Sequence, residues 1–416
     1  MADFYSIRSF ADKRTHIGKI IDQFHHQADR QAEVDNLSKR ILMVIDGLPG
    51  GGAEKVVLTL AEGFISLGHR VSIFSLRKIC DYPIPAGVDY QVVCDHSVRP
   101  WRKMTETVRR ARLLDEAVRQ SEALNGKFSL IFSHLHKTDR IVRRARSLDS
   151  AKTWYCLHGV FSASYLGRKT GFSRWLKQLK IRYVYQGRQL VGVSQYVIDD
   201  LIKNVGVRPR LTRVIFNPFD FDRLDEMAAG PCPLAGQNYL VHVGRIHEAK
   251  RQDRLLEAYA RSGIMAPLVL LGQGSAKLLE ALRQQARDLG ISERVCFEGF
   301  QQNPYPWIRH AQMLVMSSDS EGFGNVLVEA LHCGTAVVST RCPGGPAEIL
   351  TGPLSRCLAD LNAASLAEKM RDVYASPPDL QHLDLSIYSL ATICQQYLQL
   401  DPVTETSFST ARHVSN

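Results

Sequence analysis

Two glutamates in the last third of the chain have a spacing that suits ligand binding. Glu321 and Glu329 are eight positions apart, and Gly322 and Gly324 follow the first of them. Residues 327–333 read as a helix, and a glycine-rich loop before a helix exposes backbone amides to an anion or to hydroxyl groups. Carboxylates accept hydrogen bonds from hydroxyls, so the pattern indicates a site for a sugar or nucleoside. The alternative is that both glutamates only complement the helix dipole.

Two cations follow a predicted strand in the same half of the chain. Arg245 and Lys250 come at and after the end of the apolar run 239–245. A guanidinium binds two phosphate oxygens at once and an ammonium adds a point charge, so the pair suits a diphosphate. The alternative is a solvated basic loop.

A second glycine-rich loop, Gly47–Glu54, lies near the N-terminus, between an apolar run and an amphipathic segment. Gly51 and Gly52 leave the backbone bare, which suits phosphate at a helix N-terminus. The loop matches neither GxGxxG nor GxxxxGK[ST], which excludes the dinucleotide and P-loop fingerprints. A tight turn between strand and helix is the alternative interpretation.

The elements that position these residues form two similar series. In each half of the chain, short apolar runs alternate with helical patterns, which predicts parallel sheets. Because ligands bind beyond the carboxyl ends of such strands, we expect an α/β protein with two Rossmann-like, doubly wound domains facing across a cleft. The runs are 40–46, 71–76, 130–133, 153–157 and 189–194, then 239–245, 267–274, 295–299, 313–317 and 336–340.

The composition changes along the chain predict five segments. We expect an N-terminal extension at 1–38, an acceptor-binding domain at 39–217, a linker rich in proline and glycine at 218–237, a nucleotide-sugar-binding domain at 238–384, and a C-terminal helix with a frayed tail at 385–416.

The overall composition narrows the class of protein. The 416 residues exceed one ordinary core, and 45% hydrophobic with 23% charged residues is typical of a globular chain. No apolar stretch of about 18 residues is present to span a membrane, and the N-terminus lacks a secretory signal. The nine cysteines form no CxxC pair, which argues against a zinc site or disulfide framework and for a cytoplasmic protein.

The formal net charge of the chain is +10. The basic residues are concentrated in residues 167–188, which contain seven Lys/Arg and no acid. Trp175, Leu176, Leu179 and Tyr183 recur there at helical spacing. A basic amphipathic helix with aromatics is typical of proteins that bind anionic membrane surfaces, so we expect a peripheral position on the inner face of the cytoplasmic membrane. The alternative is that the apolar face packs on the first sheet. No nucleic-acid-binding module is recognised.

Several motifs together resemble those of the retaining GT-B glycosyltransferases of family 4. The resemblance covers roughly residues 40–350, and the motifs occur in the family's order: PGGGAE, YCLHG, VGRIHEAKRQDRLLEAY, SDSEGFGNVLVEALHCGTAVVST and CPGGPAEIL. One departure is FNPFD, where Asn-Pro replaces the commoner Asn-Gly of the interdomain hinge. This departure suggests a subgroup that builds bacterial cell-surface polysaccharide.

The resemblance implies a role for each matched residue on the donor side. Arg245 and Lys250 are expected to hold the donor diphosphate, and Glu329 the ribose hydroxyls. Glu321 is expected to hold the donor sugar, together with the backbone amides of Phe323, Gly324 and Asn325.

The N-terminal half carries the remaining implied roles. His158 is expected to hydrogen-bond the sugar near its 6-position, and its carbonyl to support the developing oxocarbenium charge. Gly51 and Gly52 are expected to let the loop approach phosphate and acceptor.

The implied reaction moves a hexose-type sugar from a nucleotide-diphosphate donor to a saccharide or lipid-linked saccharide, in lipopolysaccharide or other surface glycan assembly. No convincing Asp-x-Asp is found in a loop to hold a divalent metal, so no metal or cofactor is expected and the leaving charge falls on Arg245, Lys250 and backbone dipoles. The family implies same-face substitution, in which the departing phosphate deprotonates the acceptor hydroxyl. A nucleotide-sugar epimerase and a non-catalytic basic binding protein stay as alternatives.

Overall fold

A computed structural model describes residues 38–95, 102–167 and 169–401 of the chain. The expected N-terminal extension lies almost entirely outside these ranges, as do Arg168 and the expected frayed tail after residue 401.

The first domain is built on a seven-stranded parallel sheet with the order β3-β2-β1-β4-β5-β6-β7. Because helices cover both faces, the central strands are buried apolar runs. Its strands are β1 Arg40–Ile45, β2 Arg70–Ser75, β3 Asp89–Val92, β4 Leu130–His134, β5 Thr153–Leu157, β6 Gln189–Gly192 and β7 Leu211–Val214. Its helices are Gly52–Ser66, Arg102–Asn125, His136–Val142, Gly171–Tyr185 and Gln195–Asp199, with π-helical turns at Ser162–Leu166 and Asp200–Asn204.

The second domain repeats this plan with six strands in the order β10-β9-β8-β11-β12-β13, all neighbours parallel. Its strands are β8 Leu240–Val243, β9 Leu268–Leu271, β10 Val295–Gly299, β11 Met313–Met316, β12 Ala336–Thr340 and β13 Leu358–Ala359. Its helices are Gln252–Ser262, Ala276–Asp288, Tyr305–His310, Asn325–His332, Pro346–Ile349 and Ala363–Ala375, with 3₁₀ turns at Glu248–Lys250, Ser292–Arg294, Gly352–Cys357 and Ser386–Tyr388.

The expectation of two doubly wound parallel sheets is confirmed, and each apolar run of the sequence contains a strand. Strand order reverses between β1 and β4 in the first sheet and between β8 and β11 in the second. A crevice forms at such a switch point, beyond the carboxyl ends of the strands. The glycine loop after β1 and the Arg245 turn after β8 therefore lie where a ligand can reach them.

The two segments expected to stand apart from the domains have structure of their own. The linker contains the helix Phe221–Ala228. Asp220 caps its N-terminus, where the Asp220 side chain accepts a hydrogen bond from the Arg223 amide. The C-terminal helix Leu390–Leu398 returns to the first domain, where Tyr397 packs edge-on against Phe64 and Phe132. The chain thus ends its described part on the domain in which it began.

The basic helix Gly171–Tyr185 does not bury the face formed by Trp175, Leu176, Leu179 and Tyr183. All four side chains are exposed, and Phe172 stacks on Trp175 in solvent. The helix packs inward through Ile181, Val184 and Tyr185 instead. The alternative interpretation, in which the face formed by Trp175, Leu176, Leu179 and Tyr183 packs on the first sheet, is therefore wrong.

Candidate functional site

The site is a cavity of about 440 Å³ between the two domains, at the carboxyl ends of their strands. The first domain contributes the loop with Gly51 and Gly52, and His158 at the end of β5. The second domain contributes Arg245 and Glu321. The structure therefore brings together residues that lie far apart in the sequence.

Glu321 and Lys250 meet directly inside the second domain. The Lys250 Nζ atom lies 2.6 Å from Glu321 Oε1, and the Ser318 hydroxyl donates to the same oxygen at 2.5 Å. The Ser317 hydroxyl donates to the Lys250 carbonyl at 2.8 Å, which ties the turn after β8 to the loop after β11. Because both side chains are mostly buried, solvent screens the pair only weakly.

Arg245 is the exposed cation at the mouth of the cavity. Its guanidinium has no ion-pair or hydrogen-bond partner within the part of the chain that the structure describes. Its carbonyl accepts a hydrogen bond from Gln252 Nε2 at 2.9 Å, which fixes the turn that carries it. The guanidinium is therefore available to an anion in the cavity.

The backbone between Glu321 and Glu329 presents unpaired donors. The helix Asn325–His332 begins after Gly324, whose φ of 102° and ψ of 50° favour glycine. The amides of Phe323, Gly324 and Asn325 donate to no acceptor among the described residues, as expected at a helix N-terminus. The Phe323 side chain is buried against Phe216 and Tyr388, so only its backbone is free to bind a ligand.

Two glycines allow this loop to lie flat between the domains. A Cβ at Gly322 would stand 2.0 Å from the His158 carbonyl oxygen, and one at Gly344 would stand 1.5 Å from the Glu321 carbonyl oxygen. The Ser194 hydroxyl also donates to the Gly322 carbonyl at 2.9 Å. Residues with side chains at positions 322 and 344 would force the backbones apart.

Glu329 has partners that sequence reasoning missed. Tyr305 donates to Glu329 Oε1 at 3.1 Å, and Lys55 of the first domain lies 3.3 Å from the same oxygen and also contacts the Tyr305 hydroxyl. Burial lowers the pKa of Lys55, but the Glu329 carboxylate and the hydrogen bonds to Tyr305 and Glu329 outweigh that effect and raise the pKa overall. The one sequence signal for Lys55 is its place directly after the glycine loop.

His158 is held by a second histidine. Its Nε2 atom lies 3.0 Å from Nδ1 of His134, a fully buried residue at the end of β4. Burial lowers the pKa of His158 to about 4, so the ring is neutral at pH 7. Since Nε2 is engaged, only Nδ1 of His158 and its carbonyl are left for a ligand.

A buried carboxyl group lies on the first domain's side of the cavity. Asp139 Oδ1 is 2.5 Å from the Ser133 hydroxyl, and Tyr185 donates to Oδ2 at 2.6 Å. Burial raises the pKa of Asp139 to about 8 despite both hydrogen bonds, which act in the opposite direction. No sequence motif points to this group.

Family models match the chain on both sides of its linker. The model of Glycosyltransferase Family 4 matches residues 50–223, and that of Glycosyl transferases group 1 matches residues 233–386. The chain belongs to this glycosyltransferase family. The family membership drawn from the motifs is thereby confirmed, and the two facing sheets are the GT-B fold; the retaining mechanism stays a prediction. The individual roles of the site residues stay predictions.

Named relatives of this glycosyltransferase include two bacterial enzymes. The N-acetylgalactosamine-N,N'-diacetylbacillosaminyl-diphospho-undecaprenol 4-alpha-N-acetylgalactosaminyltransferase of Campylobacter jejuni is 27% identical over 75% of this chain and 83% of its own. The lipopolysaccharide 1,6-galactosyltransferase of Escherichia coli is 32% identical over 38% of this chain and 43% of its own. The solved structure of Anabaena Alr3699/HepE in complex with UDP has a TM-score of 0.61 at 21% identity, covering 91% of this chain and 99% of that one, which shows the fold.

The close approach at Gly322 predicts the effect of adding one methyl group. Gly322→Ala should push the loop away from the His158 carbonyl and open the cleft, because a Cβ 2.0 Å from the carbonyl oxygen would overlap backbone atoms rather than a flexible side chain. Small-angle scattering should then give a larger radius of gyration than for the unchanged protein. Gly159→Ala, where a Cβ meets nothing within 4 Å, is the matched control. Identical scattering from Gly322→Ala and wild type would contradict the packing.

The buried carboxyl predicts a pH-dependent stability. The pKa of Asp139 is about 8 in the folded protein against an ordinary 3.8. Its favourable contribution to the free energy of unfolding is therefore complete below about pH 4 and is lost as pH rises to about 8. Asp139→Asn cannot ionise, so its melting temperature relative to wild type should rise between pH 5 and pH 8. Exposed Asp288→Asn should show no such trend. A constant difference for Asp139→Asn at both pH values would refute the shift.

Proposed function

We propose that the protein is a retaining, metal-independent transferase that moves a hexose-type sugar from a nucleotide-diphosphate donor to a saccharide or lipid-linked saccharide during assembly of lipopolysaccharide or another surface glycan. The observation that carries the proposal is one cavity lined by both domains, whose wall holds the Arg245 guanidinium, the backbone of the glycine loop, His158 and the Glu321 carboxylate. The amides of residues 323–325, which have no acceptor among the described residues, follow Glu321 closely in the chain. These groups match the phosphates, the hydroxyls and the sugar of one ligand.

The donor would lie along the second domain. Its diphosphate would contact Arg245, which has no partner among the described residues, and Lys250, whose ammonium keeps two further protons after pairing with Glu321. The ribose hydroxyls would donate to Glu329. One oxygen of Glu329 is used by Tyr305 and Lys55, so Oε2 is left for the ribose. Anabaena Alr3699/HepE, which has the same fold, was solved with UDP, so UDP is the first nucleotide to test.

The transferred sugar would lie between the domains. Its hydroxyls would reach Glu321, the amides after it and Nδ1 of His158. The His158 carbonyl lies against Gly322, so its dipole points at the loop that would hold the sugar, where positive charge develops at the anomeric carbon. Glu321 is held by Lys250 and Ser318, which makes it a weak nucleophile. That arrangement favours same-face substitution, with the departing phosphate taking the proton of the acceptor hydroxyl.

The charge released on the diphosphate would be stabilised electrostatically. Arg245 and Lys250 belong to the segment that follows β8, and the amides of residues 323–325 lie at the start of a helix, so each set of donors is carried by a backbone that the fold fixes. Preorganised donors in a closed cleft stabilise developing charge without reorganisation. A bound cation would then not be needed for this step.

The acceptor side is proposed to work at a membrane surface. The helix Gly171–Tyr185 exposes Phe172 (71%), Trp175 (51%) and Tyr183 (49%) among its basic side chains. No helix within the described ranges could span a bilayer. Exposed rings beside cations and without acids suit the boundary of an anionic lipid layer, and Tyr185 at the end of this helix lines the cavity. The Campylobacter jejuni relative is named for an undecaprenol-linked acceptor.

The donor assignment predicts the consequence of losing one cation. A thermal-stability screen of UDP, GDP, ADP and CDP and their sugars should first find a nucleotide that stabilises the protein by mass action. Lys250→Ala should then weaken the binding of that nucleotide by about tenfold or more, because a charge-assisted hydrogen bond is lost. Calorimetry measures the affinity, and exposed Lys277→Ala is the control. Wild-type affinity and turnover in Lys250→Ala would refute the assignment.

The membrane assignment predicts a selective loss of lipid binding. Replacing Arg174, Lys180 and Arg182 with Gln should reduce sedimentation with phosphatidylglycerol vesicles at least tenfold at low salt, because each surface cation contributes about 1 kcal/mol. Replacing the exposed cations Arg112, Lys277 and Arg309 removes the same net charge and should change little. Equal loss in both triple variants would show a general charge effect and no docking helix.

A further inference from the structure

Beyond His158, the cavity continues into the first domain as an aromatic hollow that the proposed donor does not use. His136, Phe161 and Tyr165 line it. The His136 and Tyr165 ring centroids are 4.7 Å apart at 64°, and Phe161 stacks on Tyr165 at 4.9 Å. Ring faces of this kind pack against the apolar faces of sugar rings, because both surfaces are poorly hydrated.

The backbone that presents His136 is strained. Leu135, directly before it, has φ 75° and ψ 137°, a conformation that residues with a side chain rarely adopt. Within the described part of the chain, Arg251 is the one other non-glycine residue with positive φ. Strain of this kind persists when the surrounding structure enforces it, and it concentrates at functional sites. Here it turns the chain at the end of β4 so that His136 faces the cavity.

A chain of hydrogen bonds fixes the His136 ring. His136 Nδ1 lies 3.0 Å from the Tyr185 hydroxyl, which donates its proton to Asp139 Oδ2 at 2.6 Å. The raised pKa of Asp139 leaves its carboxyl protonated at pH 7, and we place that proton on Oδ1, beside the Ser133 hydroxyl. Tyr185 then donates its single proton to Oδ2, and its oxygen accepts from Nδ1–H of His136. Nε2 of His136 therefore carries the lone pair.

The free ring nitrogen is open to the cavity. Nε2 of His136 has no hydrogen-bond partner in the described ranges, yet it is not among the polar atoms sealed from solvent, whereas Nε2 of His134 is. Burial, with a contribution from Arg140, lowers the pKa of His136 to about 4, so the lone pair is available at pH 7.

We propose that His136 Nε2 accepts a hydrogen bond from a hydroxyl of the acceptor saccharide, whose ring packs against Tyr165, and that Tyr185 and Asp139 are positioning residues for His136. The inference rests on the proposed transferase function and names its acceptor contact. This hydroxyl is not the reacting one: its hydrogen bond to His136 orients the acceptor ring, while a different hydroxyl attacks the donor sugar and gives its proton to the departing phosphate.

The first test observes acceptor contact directly. Saturation-transfer NMR would be recorded with the methyl glycosides of glucose, galactose, N-acetylglucosamine and N-acetylgalactosamine, in the presence of saturating UDP. At least one glycoside should receive saturation from the wild type, and His136→Ala and Tyr165→Leu should each reduce that signal at least fivefold. Exposed His310→Ala is the control, and UDP affinity by calorimetry should stay within twofold in all variants.

Each other result contradicts a defined part of the account. Undiminished transfer in His136→Ala, or no transfer to any glycoside in the wild type, overturns the acceptor contact. A matching loss of UDP affinity in His136→Ala would place the residue on the donor side and would also overturn the acceptor contact. Failure of UDP and of every other nucleotide to bind the wild type would instead remove the proposed function itself, and the acceptor contact with it.

The second test needs no ligand and reports on the positioning residues. In protein labelled with ¹⁵N-histidine, the His136 ring signals, assigned by their loss in His136→Gln, should show the proton on Nδ1 at pH 7. Tyr185→Phe removes the acceptor for that proton, so the ring should shift toward the Nε2–H tautomer. An Nε2–H ring in the wild type, or no change in Tyr185→Phe, would overturn the positioning role.

Discussion

The contact between Gly322 and the His158 carbonyl is the constraint on which the site depends. No Cβ fits there, so the loop of the second domain lies flat against the end of β5 in the first. Gly344 removes a similar obstacle within the second domain, where a Cβ would overlap the Glu321 carbonyl oxygen. The backbones of His158 and Gly344 therefore both lie against this loop, and the loop's Glu321 lines the cavity between the domains.

The charged side chains inside the cleft form ion pairs, with Arg245 left unpaired within the described ranges. Glu321 is paired with Lys250 within the second domain, whereas Glu329 is approached across the cleft by Lys55. Further contacts join the domains: the amides of Gln195 and Tyr196 both donate to the Glu348 carboxylate, each at 2.9 Å. Together these contacts hold the two domains closed around the cavity, with Arg245 unpaired among the described residues.

The sequence predicted most of the architecture because buried parallel strands read as continuous apolar runs. The strands it missed lack that signal: Asp89–Val92 and Leu211–Val214 are partly exposed, and Leu358–Ala359 has two residues. The cleft residues could be predicted through local motifs such as Glu321-x7-Glu329. The partners of those residues could not, since Lys55 and Tyr305 reach Glu329 from distant parts of the chain. The Ser133, Asp139, Tyr185 and His136 network depends on tertiary burial, which no spacing encodes.

The most direct test of the central claim is a co-crystal structure with the nucleotide diphosphate that stabilises the protein most. We expect the pyrophosphate within hydrogen-bonding distance of both Arg245 and Lys250, and the ribose hydroxyls on Glu329 Oε2. A nucleotide bound with its phosphates outside the cavity between the two sheets, away from Arg245 and Lys250, would contradict this expectation.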